Sequence, residues 1–235
     1  SYDCVLQTGG SDQWGNLTSG VDLIHRAEGV SVHAIGTPLI TNSDGTKFGK
    51  SEGNAIWLDP EMCSPYAFYQ FWLNTDDADV ATRLKVFTFL TRAEIEALEQ
   101  KVADEPFRRE AQRRLAWEVT ALVHGVDAAT AAIDASGALF GQGELSALDA
   151  ETLAAALREL PNISVPAGVT VVQALVDTGL CSSLGEARRA VAQGGVSLDN
   201  VKVTDEAASI TGALPGGVSV LRRGKKTLAG IFIQG

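Results

Sequence analysis

A strand, a glycine-rich turn and a helix are predicted near the start of the chain, and this order limits the fold more than any other feature. Residues 4–7, three apolar residues followed by a glutamine, predict a short buried strand, which the two glycines at residues 9–10 would end. Apolar residues then recur at helical spacing up to Gly29, which fits a helix C-terminus. Ser11 or Asp12 is expected to cap this helix. Because a nucleotide usually binds where a strand turns into a helix in an open α/β sheet, the pattern predicts part of a nucleotide-binding α/β domain.

A second glycine-containing stretch, residues 44–51, carries two lysines three positions apart. Glycine allows a loop backbone to approach a ligand closely, so Lys47 and Lys50 could close over a polyphosphate. A solvated turn with two surface lysines is the alternative, and this stretch by itself leaves both interpretations open.

The run Gln-Thr-Gly-Gly-Ser-Asp-Gln-Trp-Gly-Asn at residues 7–16 favours the first interpretation. It resembles the GGSDQWGN signature of tyrosyl-tRNA synthetases, and KFGKS at residues 47–51 is similar to the KMSKS signature of class I aminoacyl-tRNA synthetases. The similarity continues through residues 57–59, 64–66, 71–75 and 222–226. The chain thus resembles the bacterial type of tyrosyl-tRNA synthetase along nearly its whole length.

This resemblance implies an α/β fold class with three parts. Residues 1–60 would be the C-terminal part of a Rossmann-like catalytic domain, residues 61–160 an α-helical anticodon-arm and tRNA-binding domain, and residues 166–235 a small α+β RNA-binding domain of the ribosomal-protein (alpha-L) type. A linker is predicted at residues 161–168, which contain two prolines and a glycine. Capping boxes are predicted at residues 91–94 and 183–186, and a two-residue hairpin turn at residues 199–200. The half that carries the HIGH motif is expected to be absent, because the similar letters at residues 33–36 fall within a strand predicted at residues 32–41.

The activity implied by the resemblance is the ATP-dependent activation of tyrosine and its transfer to tyrosine tRNA. Lys47 and Lys50 would be the catalytic residues, since lysine acts as a mobile point charge on phosphate. Gln7 and Gln13 would contact the tyrosine substrate. Mg²⁺ would accompany the ATP, with no dedicated metal site in the protein. The residues implied in ATP binding are Gly10, Asp12, Leu39, Ile40, Lys47, Phe48, Gly49, Lys50 and Ser51.

The charge of the chain is unevenly distributed. The whole chain has 19 Lys and Arg against 29 Asp and Glu, for a net charge of −10. From residue 166 onward, seven Lys and Arg oppose five Asp and Glu, for a net charge of +2. The predicted tRNA-binding residues are Arg188, Arg189, Arg222, Arg223, Lys225 and Lys226. Four arginines at residues 108–114 could also contact RNA, but a solvated, salt-bridged helix face is the favoured interpretation.

The remaining features exclude some classes of protein. No run of about 18 apolar residues and no signal peptide are visible, so we expect a cytoplasmic protein without a membrane partner. Three widely spaced cysteines suit a reducing compartment and lack the spacing of metal ligands, so no zinc site is expected. A homodimer is expected for an intact enzyme of this family. Two alternatives stay open: an RNA-binding protein without a catalytic half, and a tryptophanyl-tRNA synthetase.

Overall fold

The structure is a computed structural model that describes residues 3–46, 48, 56–224 and 227–234. The chain divides into two compact units, Ser1–Ala55 and Ile56–Gly235.

The first unit is built from two parallel strands and the helix between them. Strand β1 is Leu6–Gly10, helix α1 is Trp14–Glu28 and strand β2 is His33–Thr37. The strands pair in parallel, with Leu6 opposite His33. A parallel pair joined through a helix is the βαβ unit of α/β proteins, so the predicted mixed α/β class is confirmed.

The predicted strand at residues 4–7 is displaced and is not buried. It starts two residues later and runs through both glycines. Leu6 is 45% exposed, because β2 is the one strand that pairs with β1 among the described residues. The second strand ends at Thr37 rather than at residue 41, since Pro38 lacks the N–H group that a further strand bond requires.

The prediction for helix α1 is wrong at its N-terminus and confirmed at its C-terminus. Capping by Ser11 or Asp12 is wrong, because these residues form a short 3₁₀ turn and Gln13 occupies the N-cap position. The predicted stop at Gly29 is confirmed: its φ is 68°, and its N–H donates to the carbonyl of His25 over 3.0 Å.

The second unit begins with helices that pack around a shared core. They are α2 Pro65–Leu73, α3 Asp77–Phe87, α4 Arg92–Asp104, α5 Glu110–His124, α6 Val126–Leu139 and α7 Ala150–Arg158. Side-chain caps start three of them, at Ser64, Thr91 and Asp149. The predicted capping box between Thr91 and Glu94 is confirmed.

The unit ends with a mixed sheet and two helices. These elements are β3 Asn162–Pro166, α8 Val171–Asp177, α9 Leu184–Ala192, β4 Val196–Leu198, β5 Val201–Lys202, β6 Val218–Arg223 and β7 Thr227–Gln234. The strand order is β3-β7-β6-β4-β5, and β3 runs parallel to β7. The predicted two-residue turn is confirmed, because Asp199 and Asn200 have φ values of 52° and 65°.

The linker predicted at residues 161–168 is wrong. Residues of β3 pair with β7, and Ile163 and Val165 pack against the buried apolar cluster that holds α8 and α9 on the sheet. The alternating apolar residues of β3 therefore form an edge strand, although the prolines around them suggest a linker.

Both faces of the sheet are covered by helices. Leu175, Val191 and Ile231 join α8, α9 and β7 in the apolar cluster on one face. On the other face, a Cβ atom added at Gly230 would lie 2.9 Å from the Cβ of Leu157, so β7 and α7 are in close contact. The helical part and the sheet are thus packed as one unit.

Candidate nucleotide site and nucleic-acid interface

Three of the residues predicted to bind ATP meet at the end of β1. A Cβ atom added at Gly10 would lie 2.7 Å from Oδ1 of Asp12 and 3.0 Å from Cδ2 of Leu39. Asp12 and Leu39 therefore approach the backbone of Gly10 so closely that a larger residue at this position would displace one of them. A carboxylate can accept hydrogen bonds from ribose hydroxyls, and an apolar side chain can lie against a base.

The two predicted tyrosine-binding residues have different surroundings. Oε1 of Gln7 would lie 2.9 Å from a Cβ atom at Gly20, so its side chain lies against α1. Oε1 of Gln13 accepts a hydrogen bond of 2.8 Å from Nδ2 of Asn16. Gln13 is thereby fixed at the start of α1, while Gln7 lies along the side of that helix.

The chain that leads into the lysine stretch is held by a hydrogen-bonded turn. The N–H of Asn42 donates to the carbonyl of Thr46 over 2.9 Å, and the N–H of Thr46 donates to Oδ1 of Asp44 over 2.9 Å. Hydrogen bonds from the hydroxyl and the N–H of Thr46 hold the pKa of Asp44 below its usual value. Beyond the turn, the N–H of Phe48 donates to the carbonyl of Ile40 over 3.1 Å. The other predicted residues of this stretch, Lys47, Gly49, Lys50 and Ser51, lie outside the described residues.

Sequence analysis missed a groove between α1 and β2. Its volume is about 440 Å³, and Trp14, Val21, His25 and His33 are among its lining residues. The ring of Trp14 would lie 3.3 Å from a Cβ atom at Gly36, so the indole packs where a side chain at this position would crowd it. The sequence signal that could have indicated this groove is Trp14, the tryptophan within the motif at residues 7–16.

The predicted basic residues of β6 point to opposite faces of the sheet, because neighbours on a strand alternate. Arg222 lies opposite Ser197, and its Nη1 would be 3.6 Å from a Cβ atom at Gly141, in the turn after α6. Arg223 lies opposite the buried Val196, on the face that carries α8 and α9. The two arginines therefore do not share one patch. Lys225 and Lys226 lie outside the described residues.

Arg223 is engaged in a network that sequence analysis did not anticipate. Its Nη2 lies 2.7 Å from Oε1 of Glu186, and its Nη1 donates to the carbonyl of Leu180. The other carboxylate oxygen of Glu186 accepts hydrogen bonds from the N–H and the hydroxyl of Ser182, over 2.7 and 2.6 Å. The hydrogen bonds from Ser182, followed by those from Arg223, lower the pKa of Glu186 to about 2.

The second capping box predicted for α9 is therefore only half formed. Oγ of Ser183 accepts a hydrogen bond from the N–H of Glu186 over 3.3 Å, as predicted for an N-cap. The carboxylate of Glu186 binds Ser182 rather than the N–H of the cap residue.

The arginines of α9 are accessible. Arg189 is exposed, and the side chain of Arg188 is 59% exposed with its Nε 3.8 Å from Oε2 of Glu206. An ion pair at this distance and exposure contributes little to folding stability, and it leaves the guanidinium accessible to other anions.

The arginines of the helical part are mostly bound within the protein. Arg108 lies 3.1 Å from Glu105, and Arg114 lies 2.7 Å from Glu118. Arg109 is half-buried and donates to the carbonyl of Leu73 over 2.7 Å. These contacts favour the salt-bridged interpretation of residues 108–114 over RNA contact.

Glu186 is expected to make acid stability depend on its carboxylate. Its pKa lies below the ordinary value of 4.5, so folding favours the deprotonated form. Its contribution is complete above about pH 4.5 and is lost as the pH falls toward about 2. We expect Glu186→Gln to lower the free energy of unfolding at pH 7, and the difference from wild type to shrink over that window. Urea unfolding at several pH values measures this, and a difference that is constant from pH 7 to pH 2 would contradict it.

Within the part of the chain that the structure describes, no group of three or more His, Cys, Asp or Glu side chains is arranged to hold a metal ion. In the same part, no helix has the length and apolar character needed to cross a bilayer.

Two family models match the chain in succession. One, described as tRNA synthetases class I (W and Y), matches residues 1–141. The other, described as the Tyrosine--tRNA ligase SYY-like C-terminal domain, matches residues 152–230. The second match begins within α7, the helix that covers the sheet, and includes β3.

The chain is also similar to named relatives. It is 70% identical over 235 residues to the Tyrosine--tRNA ligase of Leifsonia xyli subsp. xyli (strain CTCB07), a match that covers 99% of this chain and 53% of the relative. It is 57% identical over 237 residues to the Tyrosine--tRNA ligase of Streptomyces avermitilis, covering 100% of this chain and 56% of the relative. The chain thus spans about half the length of the curated relatives it matches. Because the first family model matches more than half of its residues, the chain belongs to the class I tRNA synthetases of the W and Y family.

Proposed function

We propose that this chain is part of a tyrosine–tRNA ligase and carries part of its active site. The observation that carries the proposal is the meeting of Gly10, Asp12 and Leu39 at the carboxyl end of β1, within a chain of this family. Identity of 70% to a relative named Tyrosine--tRNA ligase supports tyrosine rather than tryptophan as the amino acid.

In the proposed reaction, the carboxylate of tyrosine attacks the α-phosphate of ATP, and pyrophosphate leaves. The substrate is its own nucleophile, so the protein has to position the reactants and stabilise the developing charge. Asp12 would accept hydrogen bonds from the ribose, and Leu39 with the backbone at Ile40 would lie against adenine. Gln13 would contact the tyrosine carboxylate, and Gln7 would line the amino-acid pocket.

Lys47 and Lys50 would bind the phosphates from a loop whose base is the turn at residues 42–46. Phe48, Gly49 and Ser51 would complete that loop. Mg²⁺ would enter with ATP, where it neutralises phosphate charge. The three-part arrangement of a catalytic part, a helical part and a C-terminal RNA-binding domain belongs to the same proposal.

The proposed nucleic-acid partner is tyrosine tRNA, bound through the C-terminal elements. Arg188 and Arg189 support this role because they are exposed on one helix of a segment that is more basic than the rest of the chain. Lys225 and Lys226 are proposed contacts by their place in the sequence. A homodimer in the cytoplasm is the proposed state of the intact enzyme.

The amino acid used in ATP–pyrophosphate exchange tests the proposal. We expect the full-length gene product to exchange pyrophosphate in the presence of tyrosine and not of tryptophan. We expect residues 1–235 alone to give no exchange, because a large part of the amino-acid pocket would be missing. Exchange that depends on tryptophan, or binding of tRNA without any exchange by the full-length product, would overturn the assignment in favour of a tryptophan enzyme or a binding-only protein.

A further inference from the structure

We infer that Glu186 is a positioning residue for nucleic-acid binding, because its ion pair with Arg223 fixes the end of β6 against α9. The same geometry assigns Arg223 to the interior of this network and not to direct contact with phosphate. The inference rests on the proposed binding of tyrosine tRNA by the C-terminal elements.

Three contacts hold the last residue of β6 and the glycine that follows it. Arg223 binds the carboxylate of Glu186 and the carbonyl of Leu180 through different Nη atoms. The N–H of Gly224 donates to the carbonyl of Gly195 over 2.8 Å. The side chain of Arg223 thus joins β6 to the segment after α8 and to α9, and the N–H of Gly224 adds a contact to the segment before β4.

The carboxylate of Glu186 is itself held on both sides. One oxygen accepts from Arg223, and the other accepts from the N–H and hydroxyl of Ser182. The side chains of Glu186 and Arg223 are 29% and 36% exposed, so water only partly competes for the pair. The planar guanidinium fork of Arg223 holds its hydrogen bonds to these fixed acceptors in one plane, so it resists movement of β6 against α9. We call the ion pair between Glu186 and Arg223 the brace.

The brace adjoins the proposed RNA surface. Glu186 lies two residues before Arg188 on α9, and Arg223 is followed by the basic residues at positions 225 and 226 of the sequence. Its effect on binding is therefore geometric: it sets the direction in which the chain leaves β6 relative to the arginines of α9. An arginine bound in this way is a poor phosphate ligand, because binding phosphate would leave Glu186 without its partner.

The sign of the charge effect separates this role from simple electrostatics. Loss of an acidic side chain near an RNA surface should strengthen binding if only charge mattered. Loss of the brace should weaken it. Glu186→Ala and Glu206→Ala each remove one negative charge from the same part of the protein. Within the described part of the chain, the one ion pair of Glu206 is its 3.8 Å contact with exposed Arg188.

The experiment measures the affinity of the full-length protein for a tyrosine tRNA transcript at several salt concentrations. We expect Glu186→Ala to bind about tenfold more weakly, the scale of losing one well-placed hydrogen bond to a charged group. We expect Glu206→Ala to bind as tightly as wild type or more tightly. Arg223→Lys keeps the charge but loses the fork, so it should weaken binding as Glu186→Ala does, and the double variant should be no weaker than either single variant.

Salt dependence provides a second readout, which separates a positioning role from the loss of a direct phosphate contact. Arg188→Ala should reduce the slope of log affinity against log salt by roughly 0.7–0.9, because one phosphate contact is lost. Glu186→Ala should leave that slope unchanged, with circular dichroism confirming that the variant is folded. If Glu186→Ala is poorly folded, Glu186→Gln replaces it, since it keeps the side-chain shape.

The outcomes distinguish failure of the proposed tRNA binding from failure of the positioning role of Glu186. If the wild-type protein does not bind the tRNA, the proposed function fails. If the wild type binds but Glu186→Ala binds equally or more tightly, or if Arg223→Lys has wild-type affinity, the positioning role is overturned while the proposed function stands.

Discussion

Replacing Lys50 by alanine is expected to slow tyrosyl-adenylate formation by the full-length enzyme far more than it weakens ATP binding. In the proposed reaction, Lys50 would close over the phosphates mainly as charge develops on the leaving pyrophosphate, so its contact would belong to the transition state. The loss of one charged contact in a closed site should cost about 2–4 kcal/mol, the scale of removing one oxyanion-hole donor. Single-turnover adenylate formation at saturating ATP measures the effect on rate, and the ATP concentration dependence measures the effect on binding.

A hydrogen-bonded turn at residues 42–46 precedes the lysine stretch. Asp44 and Asn42 hold Thr46, and the N–H of Phe48 is bound to Ile40, so the backbone on either side of Lys47 is attached to the chain that follows β2. A suitable control is Lys202→Ala, which removes a lysine from β5 of the second unit and should leave adenylate formation unchanged. A Lys50→Ala enzyme with a raised KM for ATP and an unchanged kcat would show that the assigned role is wrong.

The elements of this fold were predictable where local chemistry decides the structure. Gly29 ends α1 because its φ of 68° favours glycine, and Thr91 with Glu94 starts α4 because each side chain satisfies a free N–H group. The turn at Asp199 and Asn200 follows from two residue types that tolerate positive φ. In each case the decisive partners lie within a few residues of one another in the sequence.

One error arises where distant parts of the chain decide the structure. The composition of residues 161–168 predicts a linker, but residues 162–166 form β3, whose pairing partner, β7, lies more than 60 residues away in the sequence. The misplaced cap of α1 is a local error, because a 3₁₀ turn at residues 11–13 delays the start of the helix.

The candidate site shows the same limit. The motif at residues 7–16 allowed Gly10 and Asp12 to be selected, and the structure adds that Leu39 adjoins them. Arg222 and Arg223 were grouped because they are adjacent in sequence, although a strand sends neighbouring side chains to opposite faces. Glu186 was treated only as a helix cap, since its ion pair with Arg223 spans 37 residues.

Arg83→Met is expected to cause the largest loss of stability among the substitutions considered. Arg83 lies 3.2 Å from Asp79 on α3, and its Nη1 donates to the hydroxyl of Thr75 over 2.8 Å. The side chains of the ion pair are 10% and 8% exposed. Burial lowers the pKa of Arg83, and the attraction of Asp79 opposes that shift. Removal of the arginine leaves a buried carboxylate without this cation, which should cost about 3–5 kcal/mol in the free energy of unfolding.

Two further variants identify the cause of that loss in urea unfolding of the chain. Arg83→Met combined with Asp79→Leu should recover most of the stability, because both buried charges of this pair are then removed. Arg92→Ala removes an ion pair with Glu96 whose side chains are 91% and 55% exposed, so it should cost less than about 1 kcal/mol. If Arg83→Met is no more destabilising than Arg92→Ala, the buried pair does not stabilise α3. If the double variant is as unstable as Arg83→Met, the loss comes from packing of the arginine stem and not from breaking the ion pair with Asp79.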